Sequence, residues 1–126
     1  MTRALGALAL LAVSQLPSAK DAVTTDSDKY RVVLENPQVR VLSYADRPGD
    51  RTHEHQHPPF VLYALAPFKR KLILPDGSER VREFQAGDVL YSNGETHVGV
   101  NIGETPTQVV IVELKGPQLP PQEAHR

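Results

Sequence analysis

The sequence predicts an all-β protein, an antiparallel sandwich or barrel around one core. Three observations predict it. Eight short runs rich in Val, Ile, Leu and Tyr follow one another between residues 30 and 115. The gaps between them carry Gly, Pro, Asn or Asp, which supply the backbone angles and local hydrogen bonds of turns. No stretch after residue 28 keeps apolar residues at i, i+3 and i+4 for two turns, so little helix is expected. Short strands at near-regular spacing make a sandwich or barrel.

The N-terminal stretch "MTRALGALALLAVSQLPSAKDA", residues 1–22, comes first. It has one early cation, Arg3, an apolar run from Ala4 to Val13, then small residues and a proline. About ten apolar residues are too few to cross a ~30 Å hydrocarbon layer as a helix. The pattern fits a secretory signal, with Ser14 to Ala22 offering small residues for cleavage. Export to the periplasm or beyond is therefore expected, with no membrane anchor in the mature form. The competing reading is a buried N-terminal helix.

The strands follow in order: "YRVVLEN", "QVRVLSYAD", "FVLYALAP", "KRKLILP", "ERVREFQ", "DVLYSN", "HVGVNI" and "TQVVIVELK". "PDG", between the fourth and fifth, marks a tight hairpin. In the fifth, Val81, Glu83 and Gln85 fall on one face and Arg82 and Phe84 on the other. Gly87 and Gly94 are expected in turns, and Asn101 at the cap of the turn into "IGETP". Tyr44, Tyr63 and Tyr91 are expected in the core. The last segment, residues 116–126, is Pro-rich and polar and reads as a loose tail.

The 126 residues suit one domain, with the barrel over residues 28–115 and no internal repeat. Lys and Arg number 14 against 15 Asp and Glu, and they are scattered, so no nucleic-acid face is expected. Cys is absent, which excludes disulfides, thiolate nucleophiles and Cys-ligated metal clusters.

Chemistry concentrates in "GDRTHEHQHPPF", residues 49–60. His53, His55 and His57 stand on every second residue, so on a strand they share one face. Imidazoles two apart can converge on one ion at ~2.0–2.1 Å. A further ligand must come from elsewhere, and His97 in "SNGETHVGVN" is the candidate; His125 lies in the tail. Without such a partner the three would be an ordinary solvated histidine strand or an adventitious surface chelator.

Gly49, five residues, His55, one residue, His57 resembles the first motif of the cupins, G-x5-H-x-H. "GDVLYSNGETHVGVN", Gly87 to Asn101, resembles their second motif, one residue short and with Asn93 in place of its proline. The chain is also similar to small single-domain cupins that carry "VLYAL", "PDG", "AGDVLYS" and "NIGETP" in this order. The resemblance implies a jelly-roll barrel, or double-stranded β-helix, with metal and substrate inside one open end. It implies His55, His57 and His97 as metal ligands. His53, one strand period before His55, could serve as a fourth ligand or an outer base, or stand on the rim as a histidine hydrogen-bonded to water. The family's glutamate ligand falls on Leu62, flanked by Val61 and Tyr63, so the implied ligand set lacks its carboxylate.

Three neutral imidazoles leave a divalent ion its full charge and two or three open positions. The expected cofactor is a transition metal (Fe, Zn, Mn, Ni or Cu), with Mg and Ca disfavoured by the lack of oxygen ligands. An interior containing Leu62 and Ala64 favours a small, partly apolar ligand with one anionic or chelating group. The leading expectation is a metal-dependent oxygenase acting on a small organic acid, with an isomerase or hydrolase using the same vacancies. The alternatives are a non-catalytic binding or sensor cupin and an interaction module without metal. The expected partner is a small molecule, with a homodimer left open.

Overall fold

The computed structural model describes residues 20–116. Their elements are one short helix, α1 (Ala22–Thr25), then β1 (Tyr30–Glu35), β2 (Val39–Asp46), β3 (His55–His57), β4 (Phe60–Ala64), β5 (Phe68–Ile73), β6 (Glu79–Phe84), β7 (Val89–Ser92), β8 (Glu95–Asn101) and β9 (Thr107–Leu114). Each of the eight apolar runs holds one of these strands, and the short histidine strand β3 is the ninth. All pairs are antiparallel and form two sheets, ordered β1-β2-β9-β4-β7 and β3-β8-β5-β6. This is the expected antiparallel jelly roll.

Alternation decides what lies between the sheets. Along β9, Thr107, Val109, Ile111 and Glu113 are buried. Leu42 and Tyr44 of β2, Phe60 and Ala64 of β4 and Phe68 of β5 complete the centre of the core. Each large apolar side chain buried here contributes about 1.5–3 kcal/mol. Phe84 stacks on Phe68 with ring centroids 4.6 Å apart, so the face of β6 that carries Arg82 and Phe84 is the inward one.

Tyr44 is in the core, but Tyr63 and Tyr91 are 46% and 52% exposed. The parity of β4 explains the difference. Phe60, Leu62 and Ala64 point inward, which turns Tyr63 and its neighbours on that face to solvent. The "PDG" hairpin joins β5 to β6, with Gly77 at φ +84° and its N–H donating to the Leu74 carbonyl at 2.9 Å. Asn101 caps its turn by accepting from Gly103 N–H at 3.0 Å.

Packing begins upstream of residue 28. The Lys20 carbonyl accepts from Gln56 N–H at 2.9 Å, Ala22 is fully buried in the core, and Asp21 pairs with Arg40. Asp26 is also buried and accepts from His53 N–H at 3.1 Å. The expected export signal over residues 1–22 otherwise lies outside the described residues, as does the tail beyond Gly116 with His125. A chain starting at Lys29 is therefore expected to be markedly less stable than one starting at Lys20. Losing a core alanine and an Arg40 partner should cost about 3 kcal/mol and lower Tm by roughly 10 °C or more. Equal melting temperatures for the two would show that the α1 segment contributes nothing.

Candidate metal centre

β3 and β8 bring the histidines together. Their register sets His55 opposite His97 and His57 opposite Glu95. Gly94 makes the tight entry into β8: its φ is +105°, and a Cβ there would press on the His57 carbonyl at 3.1 Å. His55, His57 and His97 are 0%, 2% and 5% exposed. Their ring centroids lie 4.7–5.4 Å apart, and one ligating nitrogen from each lies within 4.8 Å of the others.

The hydrogen bonds set the tautomers. His55 Nδ1 lies 2.8 Å from the His53 carbonyl, which can only accept, so Nδ1 carries the proton. His57 Nδ1 faces Glu113 Oε2 at 3.2 Å and His97 Nδ1 faces Glu95 Oε2 at 3.0 Å, and an ionised carboxylate also only accepts. Each neutral ring therefore presents an Nε2 lone pair to the others. His55 Nε2 and His57 Nε2 stand 3.0 Å apart. Two lone pairs at that distance repel unless a cation or proton lies between them. An ion ~2.1 Å from each nitrogen, at a right angle, gives a separation of ~3.0 Å. The residues fit a divalent transition metal. Oxygen acceptors behind each ring are the arrangement that orients metal-ligating histidines.

His53 is not in this cluster. Its ring is 79% exposed, and Nδ1 pairs with Asp26 Oδ1 at 3.0 Å. The reason is that β3 begins at His55, so the alternation assumed for His53 does not extend to it. Glu54 and Gln56 are exposed, as the strand parity requires. Leu62, the glutamate position of the resembled motif, lines the same interior cavity as His57 and His97. The cavity is small, about 50 Å³ open to the centre of a water molecule.

Sequence reasoning missed several residues. Glu95, two before His97, and Glu113, on the inward face of β9, orient the ligands; the available signal was an acid at an apolar parity position. Tyr30 OH approaches His55 Nε2 at 3.2 Å, and burial pushes its phenol well above the usual range, so it stays a donor. Arg70 is buried inside the barrel, 3.3 Å from Asp46 Oδ2 and over the Tyr44 ring.

Burial, then the positive charges that His57 and His97 would carry, lower the His55 pKa from 6.5 to about 3. Burial likewise lowers His97, opposed by Glu95. The hydrogen bond from His97 holds Glu95 down to about 2. Below pH 6.5 the unfolded histidines take up protons that the folded rings refuse. Stability of the metal-free protein should thus be fully present above pH 6.5 and fall steadily as pH drops toward 3, with Glu95 adding to the loss below 4.5. Urea midpoints measured at several pH values check this, and a midpoint that rises on acidification would contradict it.

No model of a known protein family matches the sequence, and no curated protein matches it. Solved structures do. A cupin domain from Bordetella pertussis Tohama I is 22% identical, with a TM-score of 0.63, over 81% of this chain and 98% of that one. An uncharacterised conserved protein with a double-stranded β-helix domain from Klebsiella pneumoniae is 26% identical, with a TM-score of 0.56, over 69% and 76%. The polyketide cyclase RemF from Streptomyces resistomycificus is 20% identical, with a TM-score of 0.53, over 69% and 64%.

Proposed function

Taking as premise that the chain has the cupin fold, we propose that it is a metal-dependent enzyme. Its most fitting chemistry is oxygenation of a small organic acid inside the barrel. The observation that carries the reading is the convergence of three Nε2 lone pairs, each fixed by an Nδ1–H bond to an oxygen behind it. A divalent ion held there supplies Lewis acidity and, if it is redox-active, a partner for O₂.

The chain's own residues do the rest. Tyr30 places its hydroxyl 3.2 Å from His55 Nε2, and with that nitrogen turned to an ion the hydroxyl would be free to donate to an oxygen bound nearby. Glu95, kept ionised, fixes the His97 ring. Phe60, Leu62 and Ile111 wall the cavity and exclude bulk water. A second reading is a non-catalytic binding cupin. Its support is that both acid–base groups nearest the centre, Tyr30 and Glu95, are already engaged with ligand histidines.

The test is O₂ uptake by the iron-loaded protein across a panel of small carboxylic acids, with zinc-loaded protein as control. Uptake coupled to substrate loss with iron alone supports the oxygenase. Saturable acid binding without turnover by any metal form supports the binding reading.

A further inference from the structure

One wall of the cavity carries more positive charge than the protein neutralises. The β5–β6 register sets Arg70 directly opposite Arg82, next to the Phe68–Phe84 pair. Opposed strand neighbours have Cβ atoms ~5 Å apart, and like charges there are destabilising. Both arginines line the cavity that His57 and His97 also line.

Their partners differ. Arg70 pairs with Asp46 at 3.3 Å and lies over Tyr44 at 4.7 Å. Room for it is reserved from across the sheet, because a Cβ on Gly99 of β8 would overlap the guanidinium. Arg82 has no such arrangement. Its Nε is buried without a hydrogen-bond partner, and no ion pair among the described residues includes it. Arg82 is half-buried, and a buried N–H left unmade costs about 1–3 kcal/mol, so its Nε–H on the cavity wall is a group awaiting an acceptor.

We infer that Arg82, with Arg70 beside it, anchors the carboxylate of an apolar monocarboxylic ligand. The guanidinium fork matches a carboxylate with two parallel hydrogen bonds. Two arginines less Asp46 leave one positive charge on this wall, which one carboxylate neutralises. The aromatic and aliphatic lining, with Phe68, Phe84, Leu62 and Leu90, suits an uncharged body rather than a second anion. The ligand then lies with its acid group on the β5–β6 wall and its other end toward the imidazoles. This last placement rests on the metal-centre reading above; the carboxylate anchor does not.

The test titrates straight-chain monocarboxylates of about three to eight carbons, a span suited to a small pocket, against the protein as purified and after EDTA treatment. Each acid is paired with its neutral amide, and binding is read by calorimetry and thermal shift. The expected result is saturable binding of at least one acid, with its amide at least tenfold weaker. Arg82→Gln should weaken the acid at least tenfold and leave the amide unchanged, while Arg82→Lys should fall between. Arg31→Gln, on the exposed strand β1, should match the parent. No binding by any acid, equal binding of acid and amide, or an unaltered Arg82→Gln would each overturn the inference. The acid-to-amide ratio in the parent needs no variant to fold. Absence of metal from the purified protein would defeat the metal-centre reading and leave this assay intact.

Discussion

Alanine at His97 is expected to abolish tight metal binding. His97 is the only ligand supplied by β8, and the other two come from a three-residue strand that cannot enclose an ion alone. Changing a residue that merely orients a ligand costs ~10–100-fold in affinity, so deleting a ligand should cost well over 100-fold. His55→Ala and His57→Ala should do the same. Glu113→Gln, which weakens the acceptor behind His57, should fall within the smaller range. His53→Ala should be silent, because that ring is 79% exposed and turned to Asp26. Metal content after dialysis, with competition titration against a chelator, checks all five. Occupancy in His97→Ala equal to the parent would mean that the ion, if any, sits elsewhere.

Arg40→Ala is expected to be the most damaging single change away from the ligands. Arg40 Nε donates to Glu113 Oε1 at 2.6 Å, and its other nitrogens hold Asp21. Glu113 is 1% exposed, so removing Arg40 strands a buried carboxylate with only His57 for company. Breaking a buried pair from one side costs about 3–5 kcal/mol. For a domain of this size that is a fall in Tm of roughly 10–30 °C. The network ties three segments, through Asp21, Arg40 and Glu113, to the back of His57, so metal affinity should fall too. A double change, Arg40→Leu with Glu113→Gln, should recover part of the stability while leaving His57 a neutral acceptor. If Arg40→Ala melts within a few degrees of the parent, Glu113 is not held as a buried ion.

Much of this was readable along the chain. The alternation in "FKRKLI" sets Phe68, Arg70 and Leu72 on one face, and that face is the buried one. The spacing of two from His55 to His57 on a strand is a local fact, and it survived folding. Where the local rule was extended past a strand end, to His53, it failed: that residue precedes β3, and its side chain is turned outward to Asp26. Tyr63 and Tyr91 failed for the opposite reason, since β propensity is indifferent to which face is buried.

The sequence by itself determined the all-β class, the order of the strands along the chain and the shared face of His55 and His57, because alternation and turn chemistry act within a few residues; His97 came from the resemblance of "GDVLYSNGETHVGVN" to the second cupin motif. Only the tertiary structure decided what surrounds them. Glu113 lies 56 residues from His57, Asp21 lies 19 from Arg40, and Arg82 faces Arg70 through a hairpin register. Whether a charged side chain on an inward face is a liability or a site depends on the neighbour that reaches it. That neighbour arrives across the sheets, where burial strengthens the attraction of a matched charge and the cost of an unmatched one alike.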